Sequence, residues 1–209
     1  MDVRVEWIVV IVCLGIRVRR YLKRHIEFNK QAEQRKAREV EGARVLSWNV
    51  HFCRDHLMIY KYKECMQAIK EHAPDILFLQ EVYTVWPVCP SETKVVQDLK
   101  DMGFETIVCD SQSGLLSAIR PSIKNASLLV HKLSPTRSFI TLDLERMTLG
   151  NVHLEVASEK ERMAQLESIL SYLSDKHDCL LMGDFNTLCR QDYSASEWNI
   201  LLRKERKYT

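Results

Sequence analysis

From Arg44 onward the chain alternates short apolar runs with stretches of helical periodicity, and that alternation restricts it to a layered α/β or α+β domain. "RVLSWNV" (Arg44 to Val50) and "DILFLQEV" (Asp75 to Val82) read as buried strands. Between them, Tyr62, Met66 and Ile69 fall on one helical face before Pro74 stops the helix. A second helix, with Val95, Val96, Leu99 and Met102 inward, is capped by Ser91. Strand-like pieces follow at 105–108, 115–119, 127–131, 139–144 and 148–154, the last two joined as a hairpin by "ERM". Ser158 and Glu161 form a capping box that opens a helix whose core face is Met163, Leu166, Ile169, Leu170 and Leu173. That helix delivers the chain to an apolar, buried-looking strand closing on "LLMGDFN" (Leu180 to Asn186). Past it, Ser194 and Glu197 cap one more helix with a basic end.

The first 43 residues are of another kind. Residues 1–44 carry 11 Lys/Arg against 6 Asp/Glu, so the remainder, with 19 against 22, is mildly acidic. The arm opens on the apolar run Trp7 to Ile16, followed by "RVRRYLKRH". Ten apolar residues are short of the roughly 20 that a spanning helix needs, although Val3 to Leu22 stretches toward that length if Arg4 and Arg17 snorkel. Two readings stay open: a membrane contact through residues 5–22, with the body cytosolic, or a helix packed on the domain. Asp2 and Glu6 spoil a cleaved signal. Residues 27–44 are charged nearly all round and read as a solvated helical linker. The expected organisation is therefore an arm over 1–43 and a domain over 44–209. Seven scattered cysteines with no Cys-x-x-Cys pair favour a reduced, intracellular location, cytoplasmic or nuclear, or membrane-associated through the arm.

Polar side chains stand where the apolar runs stop: Asn49, Glu81, His153, and Asp184 with Asn186. Taken singly, each has an ordinary explanation. Asparagine, aspartate and glutamate often finish strands by bonding their own backbone, and a lone histidine is more often a satisfied, partly buried side chain than a ligand. Taken together, five such groups at strand ends form a candidate site, because ligands gather there in sheet proteins. Glu81 is a hard oxygen ligand suited to Mg2+ or Mn2+, and the amides and Asp184 can hold a water and a phosphate oxygen.

The blocks "LSWNV", "DILFLQEV", "GNVHLE" and "LLMGDFN", in this order, resemble the endonuclease/exonuclease/phosphatase superfamily of DNase I-like metal-dependent phosphoesterases. "HLE" followed by "ERMAQL" is most similar to the tyrosyl-DNA phosphodiesterase branch. The resemblance implies a four-layer α-β-β-α sandwich of two mixed sheets. It also implies roles: Glu81 binds the divalent metal (Mg2+ or Mn2+), Asn49 supports the metal or the phosphate, and His153 donates to the phosphate. Asp184 with Asn186 orients the attacking water, while Arg162 and Gln165 brace the site. The implied partner is a phosphodiester substrate such as a nucleic-acid or tyrosyl-phosphate end. The four blocks do not specify which phosphoester, and the acidic body argues against dependence on long-range attraction to duplex phosphates.

One departure qualifies the resemblance. Members of the family carry a later Asp-His pair, yet Thr209 lies only 23 residues past Asn186 and no histidine occurs between them. The expectation is a second sheet lacking its last strands and a weakened hydrolase, with a non-catalytic module that binds metal, a phosphorylated ligand or a protein as the alternative. Asp175 and His177 precede the last strand and lie at its far end, roughly 20 Å of extended chain away. His51, two residues past Asn49, is the first candidate to replace the absent histidine.

Overall fold

A computed structural model describes residues 6–10, 42–55, 57–82, 91–176, 178–187 and 193–205. Two sheets stack face to face. The first has the order β1-β2-β3-β5-β4, from β1 (Glu6–Val10), β2 (Arg44–Asn49), β3 (Ile76–Gln80), β4 (Thr106–Asp110) and β5 (Leu115–Ile119). Strands β1 to β3 run parallel, and β5 and β4 are antiparallel to their neighbours. The second sheet has the order β6-β7-β8-β9, from β6 (Ser127–Lys132), β7 (Ser138–Asp143), β8 (Met147–His153) and β9 (Asp178–Asp184). There β6, β7 and β8 are antiparallel, and β9 returns parallel to β8. Helices α1 (Tyr62–His72) and α2 (Glu92–Asp101) cover the first sheet, and α3 (Glu159–Leu173) covers the second. Helix α4 (Ala195–Glu205) follows β9, with the reciprocal Ser194–Glu197 cap in place.

The period of two along each strand sorts residues into these layers. Leu46, Leu77, Leu79, Leu116 and Ala118 turn outward to meet Met66, Ile69, Val95 and Leu99 of the helices. Val45, Ile76, Phe78 and Ile119 turn inward and meet Leu142, Leu149 and Met182 of the opposite sheet. Phe139, Val152 and Leu154 take the outer face of the second sheet, against Ile169 and Leu173. At about 25 cal/mol per Å2 of apolar surface, these three contacts are the main source of stability.

Three expectations change. The run from Trp7 reads as a helix, but Glu6–Val10 is an edge strand parallel to β2, with Trp7 opposite Val45 and Val10 opposite Trp48. Its apolar and β-branched residues suit a sheet neighbour, and pairing with β2 gives their backbone groups hydrogen-bond partners. Residues 11–22, the linker over 27–41 and His177 lie outside the described residues. Among the described residues, no helix is long and apolar enough to cross a membrane. Second, Met163 and Leu170 are 47% and 53% exposed, so they are not core. Helix α3 buries the narrower stripe Gln165, Ile169 and Leu173, because only that i, i+4, i+8 row faces the sheet. Third, β9 is not buried throughout: Asp178 and Cys179 are exposed and Met182 alone is fully buried, since β9 is the outer strand of its sheet among the described residues.

Gly183 sits where that strand approaches β8, with φ of +134°, and a Cβ there would fall 2.0 Å from the carbonyl oxygen of Val152. Gly150 is also tight, but its added Cβ would meet only the end of the Leu181 side chain, at 2.5 Å. Gly183→Ala is therefore expected to destabilise the domain by at least about 3 kcal/mol, and Gly150→Ala by clearly less, because a side chain can move and a paired backbone cannot. Chemical denaturation of the two variants beside the wild type measures both.

Candidate active site

Strands β2, β3, β8 and β9 all run in one direction relative to the sandwich, so their C-terminal ends share one rim. The inward positions at that rim are Asn49, Gln80, His153 and Asp184, continuing the inward rows that begin with Val45, Ile76, Leu149 and Met182. Glu81 follows Gln80, and a regular strand would turn it outward to the helices. Instead it adopts φ of +54°, a costly conformation for a residue with a Cβ. That turn brings its carboxylate back over the inter-sheet gap. The neighbouring backbone holds it there, with Phe52 donating its N–H to the Glu81 carbonyl at 2.7 Å and Val82 donating to Gly114 at 3.0 Å.

Asn49 joins the two sheets at this point. Its Nδ2 donates to Glu81 Oε1 at 2.9 Å and to Asp184 Oδ2 at 2.8 Å, while its Oδ1 accepts the His51 N–H at 2.9 Å. One amide thus keeps two carboxylates from separate sheets side by side, each bond strengthened by the charge on its acceptor. Asn186, at φ of +49°, donates its N–H to Asp184 Oδ1 at 2.8 Å, and its Nδ2 donates to the Leu154 carbonyl at 2.8 Å. Asp184 is therefore oriented from both oxygens. His153 stands beside them, 4% exposed, with Nε2 at 3.5 Å from Glu81 Oε1 and no hydrogen-bond partner. One donor atom from each of Glu81, His153 and Asp184 lies within 4.8 Å of the others.

Arg137, just before β7, supplies what sequence reasoning missed. Its Nη1 lies 3.4 Å from His153 Nδ1, and its Nε donates to Glu155 Oε2 at 3.3 Å. A guanidinium has no acceptor, so Nδ1 of His153 is the acceptor and Nε2 carries the proton. Burial first, and the Arg137 charge second, hold His153 below the ordinary histidine pKa, so it is neutral. A neutral ring protonated on Nε2 is a hydrogen-bond donor toward the site. The signal for Arg137 was a cation directly before a buried strand that pairs with the His153 strand. On the far side, Arg162 Nη1 donates to the Glu155 and Val156 carbonyls at 3.1 and 2.8 Å, and Gln165 Oε1 accepts the Glu155 N–H at 2.9 Å. Both side chains thus brace the loop after His153. His51 offers its backbone N–H to Asn49, and its Nδ1 is buried without a partner, tilted against Phe52.

Two carboxylates and the amide that bridges them are groups that could hold a hard divalent cation, and the neutral imidazole is a donor that could face an anionic oxygen. Asn49→Asp replaces the bridging donor by a third carboxylate. It is expected to lower the thermal midpoint more than Asn49→Ala does, because it adds a third charge where Asn49→Ala only removes the shared donor. Melting curves of the two variants beside the wild type measure this.

Comparison of the sequence with curated proteins finds no match. Among solved structures, ANGEL2, a 2′,3′-cyclic phosphatase in complex with adenosine-2′,3′-vanadate, superposes with a TM-score of 0.52 at 18% identity, over 70% of this chain and 54% of that one. TDP2 from C. elegans superposes with a TM-score of 0.51 at 20% identity, over 83% and 59% of the two chains. Humanized D. rerio TDP2 carrying 14 mutations gives 0.51 at 20% identity, over 69% and 66%. The chain thus spans between about half and two thirds of the length of these structures, which share its fold. Residues 46–203 match the Endonuclease/Exonuclease/phosphatase family, a span that runs from the strand of Asn49 through the last described helix, and the chain belongs to that family.

Proposed function

We propose that the protein is a divalent-metal-dependent phosphoester hydrolase acting on a phosphodiester. The observation that carries this reading is the convergence of Glu81, His153 and Asp184 within 4.8 Å, with Asn49 donating to both carboxylates. The donor set fits Mg2+ or Mn2+: Glu81 would hold the ion through a carboxylate oxygen, and Asn49 would fix that carboxylate beside Asp184. Such an ion supplies Lewis-acid polarisation of a phosphoryl oxygen. Asn49 Oδ1 is engaged by the His51 N–H, so the amide acts here as a tether between carboxylates.

The chain's own groups divide the remaining work. His153, locked by Arg137 with its proton on Nε2, donates to a non-bridging phosphate oxygen and stabilises the charge that grows there. Asp184, oriented by Asn49 and Asn186, holds the attacking water in line and accepts its proton. Buried walls beside His153 keep competing water out and strengthen both interactions. The structure solved with adenosine-2′,3′-vanadate makes a nucleotide phosphodiester the first physiological class to try.

A generic substrate such as bis(p-nitrophenyl) phosphate suffices for the test. The wild type should release nitrophenol only with Mg2+ or Mn2+ present, and Glu81→Gln should abolish metal binding by calorimetry together with turnover. Asp184→Asn should weaken metal binding by less than Glu81→Gln does, His153→Ala should keep most of it, and each should lose about 10²-fold or more in rate. Equal metal affinity in wild type and Glu81→Gln would remove the basis of the proposal. Metal binding without turnover in the wild type would instead support a binding module.

A further inference from the structure

Directly beneath the site, the gap between the sheets is polar. Ser47 of β2, Gln80 of β3, Ser117 of β5 and Asn151 of β8 are 4%, 1%, 0% and 0% exposed, and all four belong to one hydrogen-bonded layer. Gln80 Nε2 donates to Asn151 Oδ1 at 2.7 Å across the gap, and to Ser47 Oγ at 3.3 Å. Asn151 Nδ2 donates back to the first sheet, to the Leu116 carbonyl at 3.0 Å, Ser117 Oγ at 3.2 Å and the Leu79 carbonyl at 3.3 Å. Below these residues the same inward rows are apolar, with Val45, Ile76, Ile119, Leu142 and Leu149, while Phe78 lies level with Ser47 and Ser117 and Met182 level with Asn151.

Stability alone does not account for such a layer. Replacing a satisfied buried polar group together with its partner by apolar side chains of similar volume is often neutral or stabilising, and the apolar rows below show that these strands accept such packing. What an apolar layer lacks is direction. Leucine contacts slide, whereas an amide with fixed donors and acceptors sets one separation and one register. Gln80 is bonded to the next residue, Glu81, and Asn151 lies two positions before His153 on the same face, so the pair sits at the roots of the site on both sheets.

We propose that Gln80 and Asn151 are positioning residues: an inter-sheet clamp that sets the distance between Glu81 on one sheet and His153 with Asp184 on the other, and thereby the metal affinity. The inference rests on the metal reading given under Proposed function. It gives the buried layer a purpose that packing does not.

The test uses the full chain and Mn2+ as the probe. Gln80→Met conserves volume and removes the cross-gap donor; Leu99→Ala, in the outer core between α2 and the first sheet, is the control for lost stability. Gln80→Met should weaken Mn2+ binding about 10-fold or more, as loss of a ligand-orienting group does, while Leu99→Ala leaves affinity unchanged despite a lower melting temperature. The exchanged pair, Gln80→Asn with Asn151→Gln, keeps the combined reach and should recover most of the affinity. Hydrogen exchange without metal should rise in Gln80→Met at residues 79–82 and 151–154 and nowhere else. Unchanged Mn2+ affinity in Gln80→Met, or an equal loss in Leu99→Ala, overturns the clamp. If Gln80→Met does not fold, Ser117→Ala, which removes one acceptor, decides by the same measurements on a smaller scale. If the wild type binds no Mn2+, the metal reading fails, and the exchange data alone decide: a local rise sustains the clamp, and a uniform rise or none overturns it.

Discussion

The amide of Asn49, donating to Glu81 and Asp184 at once, is the interaction on which the rim depends. Two carboxylates brought so close repel each other, and at an effective dielectric of about 20 that repulsion is of order several kcal/mol at 4 Å. The shared donor offsets part of it by bonding both carboxylates at once. The surrounding backbone accepts strain to reach that state: His51, Phe52, Cys53, Glu81 and Asn186 all have positive φ, and all lie within the segments that carry the bridge and its two carboxylates. Five such residues gathered on three neighbouring loops mark the place where the fold gives up local comfort for geometry.

Sheet topology explains why this happens at one rim and not the other. Parallel strands β2 and β3, and the parallel pair β8 and β9, put four C-terminal ends together. The opposite rim receives helix and hairpin connections instead, including the Leu144–Met147 turn between β7 and β8. The capping of α3 by Ser158, and the bonds from Arg162 and Gln165 to the loop at Glu155 and Val156, then fix how β8 leaves the site. Those groups hold the loop two to three residues past His153.

Much of this was legible in the chain. The strands of Asn49 and Glu81 are continuous apolar runs because both of their faces are covered, and a run ending on a polar residue marks the strand end by itself. The hairpin and the Ser158 cap were equally plain, since both rest on local chemistry. The family resemblance supplied what periodicity could not, namely that Asn49, Glu81, His153 and Asp184 meet although up to 135 residues separate bonded partners. Three features were hidden for physical reasons. Apolar β-branched residues at 8–10 serve a bilayer, a helix stripe or an edge strand equally well, and nothing local to them marks the pairing with β2. Leu170 continues the helical pattern of Ile169, yet the sheet beneath α3 is too narrow to cover both. Arg137 belongs to no strand-end pattern, and its role exists only because β7 pairs with β8 and places its side chain against Nδ1 of His153.

The buried polar layer carries the last step. In most sandwiches the inner faces need only be apolar and complementary, since burial of area is indifferent to small shifts. A site assembled from both sheets adds a stricter demand, because a ligand-atom spacing must hold to a few tenths of an ångström while apolar contacts tolerate more. Hydrogen bonds are the most directional of the available interactions, so the layer nearest the site is where they are worth their desolvation. The inward rows of β3 and β8 follow that order from bottom to top: Phe78 and Leu149 for cohesion, Gln80 and Asn151 for spacing, then Glu81 and His153 at the rim. Each strand runs through all three in a few residues, and the period of two keeps each inward position on its proper face until Glu81 breaks it.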